Sequence, residues 1–121
     1  MNLKKRTEQD LVNECLTWLK LHNCMVWRQN QGAVTINGAG PKRFVRFSHR
    51  KGISDIIGLL PDGRFLAVEC KLPGKRKNLT TDQAQFIDEV NAMHGVAVCV
   101  TSVVELSEAL NGFWVNGQGA A

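Results

Sequence analysis

No cysteine in this 121-residue chain stands in a C-x-x-C pair, and no histidine lies at zinc-finger spacing. Cys15, Cys24, Cys70 and Cys99 each sit in an apolar stretch. Zinc sites and a disulfide framework are therefore disfavoured, and the four are read as small buried hydrophobes in a reducing compartment. No uninterrupted apolar run approaches the ~20 residues of a membrane span. Basic Met1–Arg6 is not followed by the apolar core of a secretory signal, because Asp10, Asn13 and Glu14 intervene. A cytoplasmic protein without membrane contact is expected. There is no internal repeat and no low-complexity linker, and the length suits one domain over residues 1–121.

Hydrophobic residues make up 44% of the chain, enough for a packed core, and charged residues 21%. The formal charge is +4, a moderate bias toward anionic partners. Its distribution says more than its sum. Lys42, Arg43, Arg46, Arg50 and Lys51 fall within one stretch, and Lys71, Lys75, Arg76 and Lys77 within another. Either cluster alone reads equally well as a solvated loop.

Thr7 is a helix cap with Asp10 closing a capping box, and Leu11, Cys15, Trp18, Leu19 and His22 follow at helical spacing. They predict a helix over 8–22, capped by Asn23. Met25–Arg28 and Phe44–Phe47 read as short strands, with loops at 37–42 and 48–54. Residues 55–60 and 64–71 are apolar strands joined by Pro61-Asp62-Gly63, a turn signal, and so predict a β-hairpin. Thr80 or Thr81 caps a helix to about Met93, terminated by Gly95. Val96–Val100 reads as a buried strand, and Thr101 or Ser102 caps a last helix through Leu110. The order implies an α/β fold, a mixed sheet flanked by helices.

Two features of the hairpin resist a structural explanation. Asp55 opens an apolar strand, and Glu69-Cys70-Lys71 closes its partner. A hairpin brings these ends together. Strand alternation puts Glu69 and Lys71 on one face, roughly 6.7 Å apart at Cα, with Val68 and Cys70 on the other. Adjacent carboxylates repel unless a cation lies between them. Mg²⁺ suits such a site, since it takes one or two carboxylates and leaves positions for water and phosphate. It would polarise a phosphodiester and activate water, while Lys71 offsets developing charge. An isolated E-x-K is more often an exposed salt bridge worth about 0–1 kcal/mol. The nearby Asp55 and the two basic clusters favour the catalytic alternative.

The ordered set of Glu8, Trp27–Ala33, Arg46-Phe47, Lys51–Gly58, Phe65–Lys71 and Leu79–Phe86 resembles the PD-(D/E)XK nuclease superfamily. More narrowly, it resembles the VRR-NUC family, above all its small stand-alone members from bacteriophages and prophages. Ser54 stands where the superfamily name has proline. The resemblance implies a restriction-endonuclease-like core and a DNA endonuclease dependent on Mg²⁺ or Mn²⁺, with no small-molecule cofactor. Asp55 and Glu69 would be metal ligands, joined by the Cys70 carbonyl and by Glu8, directly or through water. Lys71 would be the catalytic lysine and Gln83 a glutamine at the edge of the site. From residue type alone, Glu8 is an ordinary first-turn acid and Gln83 an ordinary surface residue.

Arg28, Asn30, Lys42, Arg43, Arg46, Arg50, Lys51, Lys75, Arg76 and Lys77 are the candidate DNA contacts. The resemblance also implies a homodimer acting on branched DNA such as four-way junctions, in a bacterial host. Phe113-Trp114-Val115 is an apolar triplet that either covers a partner or folds back on its own core. The alternatives are a phage DNA-processing nuclease without structure preference, a DNA-binding module that has lost catalysis, and a metal-free scaffold.

Overall fold

The computed structural model describes residues 4–29, 33–36, 43–46 and 50–113. Helix α1 is Glu8–Leu21. Thr7 Oγ1 accepts from the Asp10 amide at 3.2 Å while the Asp10 carboxylate accepts from the Thr7 amide at 2.9 Å. This reciprocal cap satisfies two otherwise unpaired donors at the helix start. Leu11, Val12, Cys15 and Leu19 form its buried stripe. The C-cap is His22 rather than Asn23. Asn23 takes the left-handed position one step beyond, with φ 65°, a conformation asparagine tolerates better than most residues.

Strand β1 is Met25–Arg28, β2 is Ala33–Ile36 and β3 is Arg43–Arg46. The sequence reading has no counterpart to β2 and sets β3 one residue later. The two form a separate antiparallel ribbon, Ala33 opposite Arg46. Strands β4 (Ile56–Leu59) and β5 (Phe65–Cys70) make the predicted hairpin, each a little shorter than expected, so Asp55 lies just before β4. Helix α2 is Thr81–Ala92, β6 is Val96–Val100 and α3 is Val103–Leu110.

The main sheet has the order β1-β4-β5-β6. The first two pairings are antiparallel, and β5–β6, joined across α2, is parallel. It is thus a mixed sheet with helices on both faces. Gly58 is required where β1 crosses β4, because a Cβ there would sit 2.0 Å from the Met25 carbonyl oxygen.

Central strand β5 is buried on both sides from Leu66 to Cys70, as expected of a strand covered on both faces. Leu66, Val68 and Cys70 join the main core with α1 and α3. Ala67 faces a smaller cluster formed by Phe86, Ile87 and Val90 of α2 with Ala97, Ile53 and Ile57.

Thr80 caps α2 through a box with Gln83, and Ser102 caps α3. The predicted stop at Gly95 is corrected: His94 carries the left-handed turn, φ 69°. Gly95 instead donates its amide to the Val90 carbonyl at 2.9 Å. Asn91 then clamps the Ala97 backbone, accepting from its amide at 2.8 Å and donating to its carbonyl at 3.1 Å.

All four cysteines are free. Among the described residues no helix is long and apolar enough to cross a membrane. Phe113 packs against the chain's own core, its ring beneath Arg64, so this member of the apolar triplet folds back. Trp114 and Val115 lie outside the described residues.

Candidate active site

The register that pairs Ile56 with Val68 continues one step to Asp55 beside Glu69. On the far side the Gln29 amide donates to the Asp55 carbonyl at 2.8 Å, and Glu69 is paired in parallel with Cys99. One cross-strand row therefore reads Gln29, Asp55, Glu69, Cys99. The Asp55 carboxylate accepts from the Cys70 amide at 2.8 Å. This bond anchors Asp55 where β4 has ended. Amide and carbonyl of one strand residue leave on the same edge, so the Cys70 carbonyl is also directed to the β4 side.

Glu69 is only 2% exposed and Lys71 only 7%. The exposed salt bridge weighed from sequence is therefore not what the chain builds. Helix α2 closes over the row, and its register on the sheet is set by Gly52. That residue has φ +81°, and a Cβ there would meet Asp82 and Gln83 backbone atoms at 2.4–2.7 Å. The loop ahead of Asp55 thus lies directly on the first turn of α2. Gln83 in consequence does two things. Its side-chain oxygen accepts from the Thr80 amide at 2.9 Å, completing the cap. Its nitrogen donates to Glu69 Oε2 at 3.4 Å.

Lys71 Nζ is 3.9 Å from the same oxygen, at the outer limit of an ion pair. Glu69 Oε1 is buried with no partner. Burial foremost, then the negative charge of neighbouring Asp55, pushes the Glu69 carboxyl up to about 9. Lys71 opposes this shift, and Glu8 adds to it. The first residue of α1 thus contributes to the field at Glu69. Burial and the neighbouring negative charge thus disfavour the ionised form of Glu69, and a positive charge at Oε1 would favour it.

Among the described residues no three His, Cys, Asp or Glu side chains group as a ready-made metal cage. A hard divalent cation does not need one, because water and substrate oxygens complete its shell. An orphaned carboxylate oxygen, a neighbouring anchored carboxylate and the Cys70 carbonyl form an all-oxygen donor set that fits such a cation.

Ser54, fully buried, also has a hydroxyl without a partner. The sequence reading passes over it except as a replacement for proline, and no residue pattern singles it out.

The basic residues divide. Lys51, Lys75 and Lys77 are exposed around the α2 N-terminus, and Arg28 is exposed at the end of β1. Arg50 pairs with Glu89 and lies 5.0 Å over the Phe86 ring. Arg76 pairs with Glu105, which also accepts from the Thr101 amide at 2.7 Å ahead of α3. These two arginines have work within the chain that the sequence does not reveal. Arg43 and Arg46 fall in β3, whereas Asn30 and Lys42 lie outside the described residues. No known protein-family profile matches the chain, and no curated protein matches it in sequence.

Proposed function

We propose that the chain is a metal-dependent DNA endonuclease with a PD-(D/E)XK centre akin to that of VRR-NUC nucleases. The observation that carries this is the buried Glu69 carboxyl, with one oxygen unpartnered, set beside Asp55 and within reach of Lys71 and Gln83. A stability role does not explain it, since leaving a buried polar atom without a partner costs about 1–3 kcal/mol.

Bound Mg²⁺ or Mn²⁺ supplies Lewis-acid polarisation of the phosphodiester and a more acidic water. Asp55 and Glu69 would hold it, with the Cys70 carbonyl. Asp55 is kept in place by the Cys70 amide. Glu69 would hold the cation as the ionised carboxylate, and Gln83 steadies the oxygen Oε2. Lys71 brings positive charge to the phosphate as it gains negative charge in the transition state. Lys51, Lys75, Lys77 and Arg28 neutralise flanking phosphates. The working unit is a homodimer acting on branched DNA, because two symmetric centres match a junction cut in two strands.

The test is cleavage of linear duplex, fork, flap, four-way junction and single-stranded DNA with Mg²⁺, Mn²⁺, Ca²⁺ or excess EDTA. Cutting with Mg²⁺ and Mn²⁺, silence with Ca²⁺ and EDTA, and preference for branched forms are expected. Unimpaired cutting in EDTA, or no cutting of any DNA with either metal, would overturn the proposal. Equal rates on all forms would leave a nuclease without structure preference.

A further inference from the structure

The row that holds Asp55 and Glu69 is one of three parallel rows across β1, β4 and β5. The next reads Trp27, Ile57, Ala67, and the one beyond it Met25, Leu59, Phe65. All three present side chains to the same face of the sheet, since cross-strand partners share a face and faces alternate along a strand. Helix α2 covers the β5 end of this face, where Ala67 packs with Phe86. Among the described residues no helix covers the β1 end, where Trp27 is 46% and Met25 59% exposed.

An indole half in water on an edge strand adds little to the core. This one is nevertheless held in place. Its Nε1 donates to the Gln29 side-chain oxygen at 3.3 Å, and the Gln29 amide donates to the Asp55 carbonyl at 2.8 Å. The ring is thus tied, through one residue, to the row of the candidate metal ligands, about 6.6 Å away along β1.

We propose that Trp27 is a stacking platform for an unpaired nucleobase next to the phosphate bound at Asp55 and Glu69. This inference rests on the nuclease reading and deepens it by naming the substrate feature the site selects. The two outer rows carry no charge, so they suit the flat, weakly polar face of a base. A paired base in a duplex has its faces covered by its neighbours, so the platform favours DNA with single-stranded character, as at forks and junctions. Stacking on an aromatic ring tolerates any base and accounts for selection by structure rather than sequence.

The test uses the full chain carrying Asp55→Ala, so that DNA stays intact, with Trp27 kept, changed to Phe or changed to Ala. Affinity is read by fluorescence anisotropy on a labelled fork and a matched linear duplex. Abasic positions are scanned along the single-stranded arm. Trp27→Ala should weaken fork binding on the order of ten- to a hundredfold. It should leave duplex binding unchanged, and Trp27→Phe should restore most of the loss. The Trp27→Ala defect should vanish when the abasic position coincides with the stacked base. Equal losses on fork and duplex, or a loss indifferent to abasic positions, would overturn the inference while leaving the nuclease reading intact. If Trp27→Ala instead turns a sedimenting dimer into a monomer, the face is an interface between copies and the inference fails. If the parent chain cuts no DNA, both readings fall together.

Discussion

Strand β5 is buried on both faces, yet the two faces do opposite things. Toward α1 and α3 it presents Leu66, Val68 and Cys70, each fully buried among Leu11, Cys15, Leu106 and Leu110. Burial of a large apolar side chain contributes about 1.5–3 kcal/mol. Toward α2 it presents Ala67 and then Glu69, with Lys71 following, and here burial works against folding. Glu69 has an oxygen with no partner and a carboxyl shifted far from its ordinary range. The two faces share one backbone and one degree of burial, so depth alone does not explain what stands at each position. The apolar face supplies stability, and the α2 face uses it to hold a costly acid in place.

The largest expected effect separates the faces by activity. Asp55→Ala or Glu69→Ala should lower kcat on the order of 10³-fold or more, the scale of losing an electrostatic stabiliser of the transition state. Both variants should remain folded by circular dichroism, and cleavage at the parent rate would remove them from the catalytic centre. Leu66→Ala, three residues from Glu69 on the other face of the same strand, should do the reverse. It should cost about 2–5 kcal/mol in urea unfolding and leave kcat unchanged while the chain is folded. A kcat loss without a stability loss would erase the contrast.

A subtler difference is in pH. The folded chain holds the Glu69 proton more tightly than the unfolded chain, whose carboxyl titrates near 4.5. The stability from this group is fully present below about pH 4.5 and is lost as pH rises to about 9. Metal-free protein should therefore lose stability across that window, and Glu69→Gln should flatten the decline. Identical pH slopes for parent and variant, read by urea midpoints in EDTA, would contradict the assignment. The smallest effects concern the surface. Lys51→Ala, Lys75→Ala and Lys77→Ala should each reduce the slope of log K against log salt by about 1. An unchanged slope would take that lysine out of the DNA footprint.

Local signals carried the parts of the fold that depend on neighbours in sequence. Thr7 with Asp10 closes a box three residues long, and Pro61-Asp62-Gly63 joins two apolar runs. The pairing of Asp55 with Glu69 follows from that one turn. Helix ends were less legible, because His94 takes a backbone conformation that glycine usually claims, leaving Gly95 to form a return bond. Strand β2 has little sequence signal although Val34, Thr35 and Ile36 are β-branched, because four residues between polar and glycine-rich segments give a weak periodic pattern.

Burial of Glu69 and Lys71 was not legible at all, since it arises from α2 folding over the row, a contact between segments distant in sequence. The same holds for Arg50 and Arg76, whose partners Glu89 and Glu105 lie 39 and 29 residues away. Gln83 was reached only through family resemblance. What ties it to the site physically is Gly52 against the first turn of α2.

The central claim is that the unpartnered oxygen of Glu69 is a place for a divalent cation. Thermal unfolding with increasing Mg²⁺ at pH 8, for parent and Glu69→Gln side by side, tests it without reference to cleavage. The parent should gain stability with metal, by about 2.7 kcal/mol at a hundredfold excess over Kd, and Glu69→Gln should gain little or none. An equal Mg²⁺ shift in both proteins, or no shift in the parent, would contradict the account.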